Sequence, residues 1–291
     1  MKRGARVVAR SLVGATLAFG AGLIGFASPV WGEAPADRVP RAPDGKPDLN
    51  GIWQALNTAN FDLQTHIARA ALALRPGPYG PVPAKEVVAL GAVGAAPGGL
   101  GVVEGGEIPY QPWALEKKKE NQANWLSRDP EIKCYLPGVP RATYMPYPFQ
   151  ILHSDQAIVI VYEYAGATRN IFMKDPGPPP VDSWMGQSVG RWDGDTLVVE
   201  SKGFNDRTWL DRAGNFHSEE LKVVERYTRT GPDHMQYEAI LEDPKVFTRS
   251  WKISMPLYRR VEPNAVLMDF KCVEFVEELM YGQYRKNPLP R

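Results

Sequence analysis

Little in this sequence of 291 residues commits it to a recognisable chemistry. It has no excess of either charge: 34 Lys and Arg against 33 Asp and Glu leave a formal net charge of +1. No strong field therefore draws nucleic acid or an anionic lipid surface. The basic residues are scattered apart from Lys117-Lys118-Lys119, which reads as a solvated helix face. The chain lacks G-x-G-x-x-G, a P-loop, G-x-S-x-G and H-E-x-x-H, and with them the common signatures of dinucleotide, nucleotide, serine-hydrolase and zinc-protease sites. Only two cysteines occur, Cys134 and Cys272, and neither has a histidine nearby in sequence. That spacing argues against a zinc site and against an activated thiol, so no metal and no cofactor is expected. There is no internal repeat of propeller period.

What is present begins at the N-terminus. "MKRGARVVAR" is basic, "SLVGATLAFGAGLIGFASPV" is apolar without charge, and "WGEAPA" supplies small residues for cleavage. Residues 1–32 are expected to be a secretory signal peptide, with an uncleaved membrane anchor as the alternative. No other segment is apolar enough to span a bilayer, so no stable membrane span is expected once the signal is removed. The expected location is periplasmic or secreted. Export to an oxidising compartment makes a Cys134–Cys272 disulfide the simplest pairing.

Residues 33–50, rich in Pro and charge, read as an extended lead-in, and Gly51-Ile52-Trp53 as the start of a first strand. One β-rich domain is expected over 51–291. Within it, the Ala/Gly/Pro-rich stretch 65–107 reads as a flexible insertion that starts with a short helix. "QPWALEKKKENQANWLSRDP" predicts a helix over 112–127, with Pro112 in its first turn, Trp113 and Leu115 as its apolar edge, and Asp129-Pro130 as its stop. "CYLPGVPRATYMPYPFQIL" has too many prolines for a regular helix and reads as an ordered segment crossing a sheet or lining a cavity mouth. From Gln150 onward, "AIVIVYEY", "TRNIFM", "SVGRW", "DTLVVES", "LKVVERYTRT", "HMQYEAILED", "TRSWKISM" and "AVLMDFKC" predict strands. Asp193-Gly194 marks a hairpin of type I′. In "HMQYEAIL", Met235, Tyr237, Ala239 and Leu241 share one face. Eight or nine antiparallel strands in succession leave long edges unless they close. The expected fold is therefore an all-β antiparallel meander closing into a barrel of calycin or lipocalin type. Gly51-x-Trp53 matches the lipocalin first-strand motif, in which the tryptophan plugs the barrel floor.

"PDLNGIW", "PYQPWA", "DPEIKCYLPGVPR", "YPFQI", "SWMGQSVGRWDGDTLVVES", "GFNDRTWLDRAGNFHSEELKVVERY" and "DPKVFTRSW" together resemble a family of exported bacterial proteins found as many paralogues in soil bacteria. The resemblance spans about Pro47 to Cys272. It implies export and a β-rich fold, but the family's activity is undefined, so it implies no reaction. Members often carry Asp-Gly-Arg-x-His after the second strand, where this chain has "KDPGPPP". A catalytic histidine there would be missing here.

Of the four histidines, His217 has acidic neighbours and is the candidate for proton transfer, with Asp206 or Asp211 to orient it. The competing structural role is a loop histidine whose ring bonds a backbone carbonyl. His153 reads as a core-edge residue. Asp193 and Asp195 are explained by the hairpin, and Glu219 and Glu220 by solvent or capping. Glu225 and Arg226 take opposite faces of one strand. Glu225, if inward, needs Arg169 or Arg191 as its partner. The dense aromatics suggest a small-molecule pocket at one barrel end, with walls from 135–149, the Trp184 loop and the 203–217 loop. Arg141, Tyr144, Tyr147, Tyr164, Arg169, Trp184 and Trp209 are its candidate ligand contacts.

Three functions follow. The first is an exported barrel that binds a small apolar or aromatic molecule. The second is a hydrolase, isomerase or lyase using His217 with Asp206 or Asp211 in the same pocket. The third is an envelope interaction protein without a small ligand. An open cavity with His217 on its wall, about 3 Å from a carboxylate, favours the enzyme. An open cavity with His217 turned away favours binding. A bore filled by side chains favours the interaction protein.

Overall fold

A computed structural model describes residues 39–68, 74–76, 78–79, 81–83, 97–154 and 157–274. The expected signal peptide at 1–32, residues 33–38 of the lead-in, 84–96 of the insertion and most of the helix expected at its start lie outside the described residues. The strands are β1 (Gly51–Ala55), β2 (Leu74–Pro76), β3 (Pro81–Pro83), β4 (Phe149–His153), β5 (Ile158–Tyr162), β6 (Thr168–Phe172), β7 (Gln187–Asp193), β8 (Thr196–Lys202), β9 (Lys222–Arg229), β10 (His234–Glu242) and β11 (Trp251–Arg259). The helices are α1 (Pro112–Ala123), α2 (Trp125–Arg128) and α3 (Arg141–Tyr144).

Nine of these strands close a barrel in the order β1-β11-β10-β9-β8-β7-β6-β5-β4. Strand β1 completes the ring by pairing antiparallel with both β11 and β4. Antiparallel neighbours reverse direction at each step, so a ring with an odd number of strands cannot alternate all the way round. One seam must be parallel. It is β6–β7, joined only through Ile171↔Ser188 and Phe172↔Val189. The loop 173–186, with its three consecutive prolines Pro178, Pro179 and Pro180, carries the chain back along the outside of the barrel to start β7 in the same direction as β6.

The alternation read from the sequence holds. Met235, Tyr237, Ala239 and Leu241 are all at most 1% exposed, and β9 alternates along its whole length. The β7–β8 turn differs in type. Gly194 alone takes a positive φ, 59°, so glycine occupies the first loop position of a two-residue II′-like turn and not the second position of a type I′ turn.

Both barrel ends are closed. At one end, Trp53 is fully buried and donates its indole N–H to the Leu49 carbonyl at 3.0 Å. The Arg229 guanidinium lies 5.4 Å over its ring. The lead-in is therefore more than extended chain: it turns at Gly45, pairs Arg41 with Pro47 and packs Leu49 beneath the barrel. His153 bonds this segment through the Leu49 N–H and Asp44, as a core-edge residue. At the opposite end, the Pro-rich segment turns inward as α3, all four of whose residues are buried. Part of the insertion also packs: Val103 pairs with Ile253 alongside β11.

Two expectations change. The helix over 112–127 breaks at Asn124, and Trp113 and Leu115 are 54% and 40% exposed. The buried positions are instead Ala114 and Asn121; Asn121 donates to the Gly214 carbonyl at 3.3 Å, and a Cβ on Gly214 would come within 2.6 Å of the Gln122 backbone nitrogen. The run "AVLMDFKC" forms no strand. β1 already joins β4 to β11, so the segment that follows β11 has no place between them. It lies outside the ladder, held by the Cys134–Cys272 disulfide, whose Cα atoms are 5.8 Å apart.

Candidate binding site

The loop 203–218 gives His217 and Asp211 separate hydrogen-bond partners. His217 is 2% exposed, and its Nδ1 lies 2.8 Å from the Ser218 carbonyl, which can only accept. The ring hydrogen therefore sits on Nδ1, and Nε2 accepts the Thr208 hydroxyl at 2.5 Å. Burial pushes the imidazole below its usual pKa, so it is a neutral structural acceptor. Asp211 is also buried, but its carboxylate accepts the Leu63 N–H at 2.8 Å and the Asn215 backbone N–H at 3.2 Å. It fixes the turn between β1 and the insertion. Asp206 is exposed. Neither carboxylate hydrogen-bonds His217, whose partners match the structural role weighed for it from sequence.

The barrel bore holds a polar knot. Arg169 donates through Nε to Ser188 at 2.7 Å, through Nη2 to Ser201 at 2.7 Å, and through both terminal nitrogens to Glu225. Glu225 also accepts the Tyr227 and Tyr237 hydroxyls at 2.9 Å each. Burial, reinforced by the Glu225 charge, pushes both phenols well above their usual pKa and keeps them as donors. Thr143 Oγ1 and Tyr162 Oη are buried near this knot, Tyr162 beside both Arg169 and Glu225. With Phe149, Tyr162 and Tyr144 around them, these side chains fill the bore. Arg169 is thus the partner Glu225 required; Arg191 lies on the outer face.

A second buried network closes the barrel end where the pocket was expected. Arg141 bonds Asp129 at 2.9 and 3.1 Å, Glu131 at 2.7 Å and Asn60 at 2.8 Å. Arg212 meets the same Glu131 at 2.8 and 2.9 Å. Burial opposes the Glu131 charge, but Arg212 and Arg141 more than offset it and hold the carboxyl at about 2, against 4.5 for an ordinary glutamate. A depressed carboxyl stabilises the fold above its unfolded pKa and loses that contribution as pH falls through its folded pKa. Glu131 should therefore withdraw about 3 kcal/mol of stability between roughly pH 4.5 and pH 2. Urea unfolding at several pH values checks this: Glu131→Gln should flatten the slope in that window, and an unchanged slope would remove the assignment.

A cleft lies on the outer wall at the parallel seam, and two of the walls expected from sequence contribute to it, the 135–149 segment through Leu136 and the Trp184 loop. It has a volume of about 400 Å³, within the range of small-molecule sites. Its floor is the outward face of β6, Thr168, Asn170 and Phe172, and its opposite wall is the loop Pro179–Gln187. Trp184 stands in that wall, its ring 4.7 Å from Tyr135. The loop is drawn in by Ser183, which bonds Gly203 and Asn205 at 2.9 Å each. Gly203, at φ 73°, lets Pro179 rest against the backbone, where a Cβ would come within 2.6 Å of the proline ring.

Of the expected ligand contacts, Arg169 and Trp184 line this cleft. Tyr147 and Tyr164 instead line a cavity of about 170 Å³ with Glu131, Arg212 and Phe270. Arg141, Tyr144 and Trp209 are buried in the packing. The sequence reading missed Thr168, Asn170 and Phe172. Their signal was present in "TRNIFM": Thr, Asn and Phe take alternate positions, opposite Arg169 and Ile171. Among the described residues, no cluster of three or more His, Cys, Asp or Glu forms a metal site, and no helix is long and apolar enough to cross a membrane. The chain matches no family model, no curated protein and no solved structure.

Proposed function

We propose that this chain is an exported β-barrel protein that binds a small, uncharged, partly aromatic or apolar molecule in the cleft beside Trp184. The observation that carries the reading is the cleft itself: about 400 Å³, walled by Trp184, Phe172, Met185 and prolines, with Thr168, Asn170, Ser183 and Gln187 as its uncharged polar residues. Apolar walls with a few polar atoms are what small-ligand sites use. The one charged lining residue, Arg169, has its guanidinium committed to Glu225, Ser188 and Ser201, which favours a neutral ligand. The cleft shares two of the walls expected from sequence, Leu136 of the 135–149 segment and the Trp184 loop, and opens on the outer wall beside β6. The basic-then-apolar N-terminus, the disulfide and the resemblance to an exported family support the compartment.

Trp184→Ala should weaken binding of a ligand found by screening neutral aromatic fragments by about tenfold or more, since a stacked indole contributes about 1.5–3 kcal/mol. Isothermal titration of the two proteins with that fragment measures it. Equal affinities would place the fragment elsewhere and sink the reading.

The filled bore favours a second reading, an envelope interaction protein. Val261, Val266 and Met268, each about two-thirds exposed near the C-terminal end of the described chain, are the apolar surface such a partner would cover.

A further inference from the structure

The cleft runs beside a stretch of barrel wall where a strand edge stands open. The Tyr162 N–H donates to the Ala167 carbonyl at 2.8 Å, which sets the alternation of the β5–β6 ladder. In an antiparallel pair, hydrogen-bonded and non-bonded positions alternate. Ala167, Arg169 and Ile171 therefore turn their peptide groups towards β5, while Thr168, Asn170 and Phe172 turn theirs towards β7. On that side the parallel ladder begins only at Ile171↔Ser188. It takes up the Asn170 carbonyl and the groups of Phe172. The Thr168 N–H, the Thr168 carbonyl and the Asn170 N–H are left facing Trp184–Gln187 across the cleft.

These three groups form a donor–acceptor–donor row on a rigid strand, beneath an aromatic and proline wall. An unpaired strand edge is a template for another extended amide. A ligand with only an apolar ring would fill the wall and leave the row to water. A ligand that also presents one amide N–H and one carbonyl would answer both.

We propose that the cleft takes a small neutral amide of about dipeptide size. One N–H of the ligand donates to the Thr168 carbonyl, one carbonyl accepts from the Thr168 or Asn170 N–H, and an aromatic or aliphatic side chain lies against Trp184. This rests on the cleft being the ligand site and adds the class of ligand.

Three probes separate the two claims when titrated into the full chain and followed by amide NMR shifts and Trp fluorescence. They are N-acetyl-phenylalanine dimethylamide, whose acetylated nitrogen carries its one N–H, the same compound methylated on that nitrogen, and p-cresol. The parent amide should bind and shift the Thr168 and Asn170 amide signals. N-methylation removes the donor to Thr168 and should weaken binding about tenfold, as loss of one hydrogen bond does. p-Cresol should bind at least tenfold more weakly than the parent. If the methylated compound or p-cresol binds as tightly as the parent, the amide pairing is wrong while the cleft stands as an aromatic site. If no probe perturbs Trp184, Thr168 or Asn170, both the pairing and the cleft reading fall.

Discussion

Arg169→Met should cost the barrel about 3–5 kcal/mol, the largest single-residue loss expected in the molecule. Arg169 is 2% exposed and Glu225 is fully buried, so neither charge has water to fall back on. The hydroxyls of Ser188, Ser201, Tyr227 and Tyr237 converge on the pair, and the two carboxylate oxygens of Glu225 face both terminal guanidinium nitrogens. Methionine fills the volume of the arginine stem but leaves a buried carboxylate with only two phenol donors. Adding Glu225→Gln should then recover a substantial part of the loss. The amide oxygen still accepts from the two tyrosines, and no net charge is left in the bore. Urea midpoints of the wild type, R169M and R169M/E225Q measure this. If the double variant is no more stable than R169M, the cost comes from repacking around residue 169 and not from a stranded charge.

The same pair marks where the sequence was legible. Glu225 shares one face of β9 with Val223 and Tyr227, so a strand pattern of period 2 groups it with apolar residues and makes its inward placement a question the sequence can pose. Its need for a cation followed from burial alone. The His217 group was not legible in that way. Asp206, Asp211 and His217 are close in sequence, but the loop around Gly214 turns Asp211 onto residue 63 and His217 onto Thr208. Proximity along a loop says little about which side chains meet. The cleft was hidden for a different reason. It exists because nine strands cannot all alternate in a ring, so β6 and β7 run parallel and splay above Ile171. Strand-by-strand patterning does not say how many strands close the ring. The failure of "AVLMDFKC" as a strand has the same origin: its residues suit a sheet, but β1 had already joined β4 to β11.

Serine at both Cys134 and Cys272 should lower the unfolding free energy by up to about 5 kcal/mol, the amount by which a crosslink of this span restricts the unfolded chain. The bridged residues are 138 apart in sequence, so the bond closes most of the barrel into one loop. The native fold should survive the change, because ring closure through β1, β4 and β11 does not involve either cysteine. What the bond holds locally is the segment after β11. Its other described ties are few: the Met268 N–H donates to Glu163 at 2.7 Å, and Phe270 packs 4.8 Å from Tyr164 and 5.2 Å from Tyr147. Loss of the crosslink should therefore do two separable things. The unfolding midpoint should drop, with a steeper denaturant slope because the unfolded chain exposes more surface. Limited proteolysis should also begin to cut between 261 and 274 under conditions where the barrel strands stay intact, as expected for a segment tethered by a few contacts. A double variant with the oxidised protein's midpoint would show that the bond adds no stability. Rapid cutting inside β7–β11 would show instead that the disulfide, and not ring closure, keeps the barrel shut.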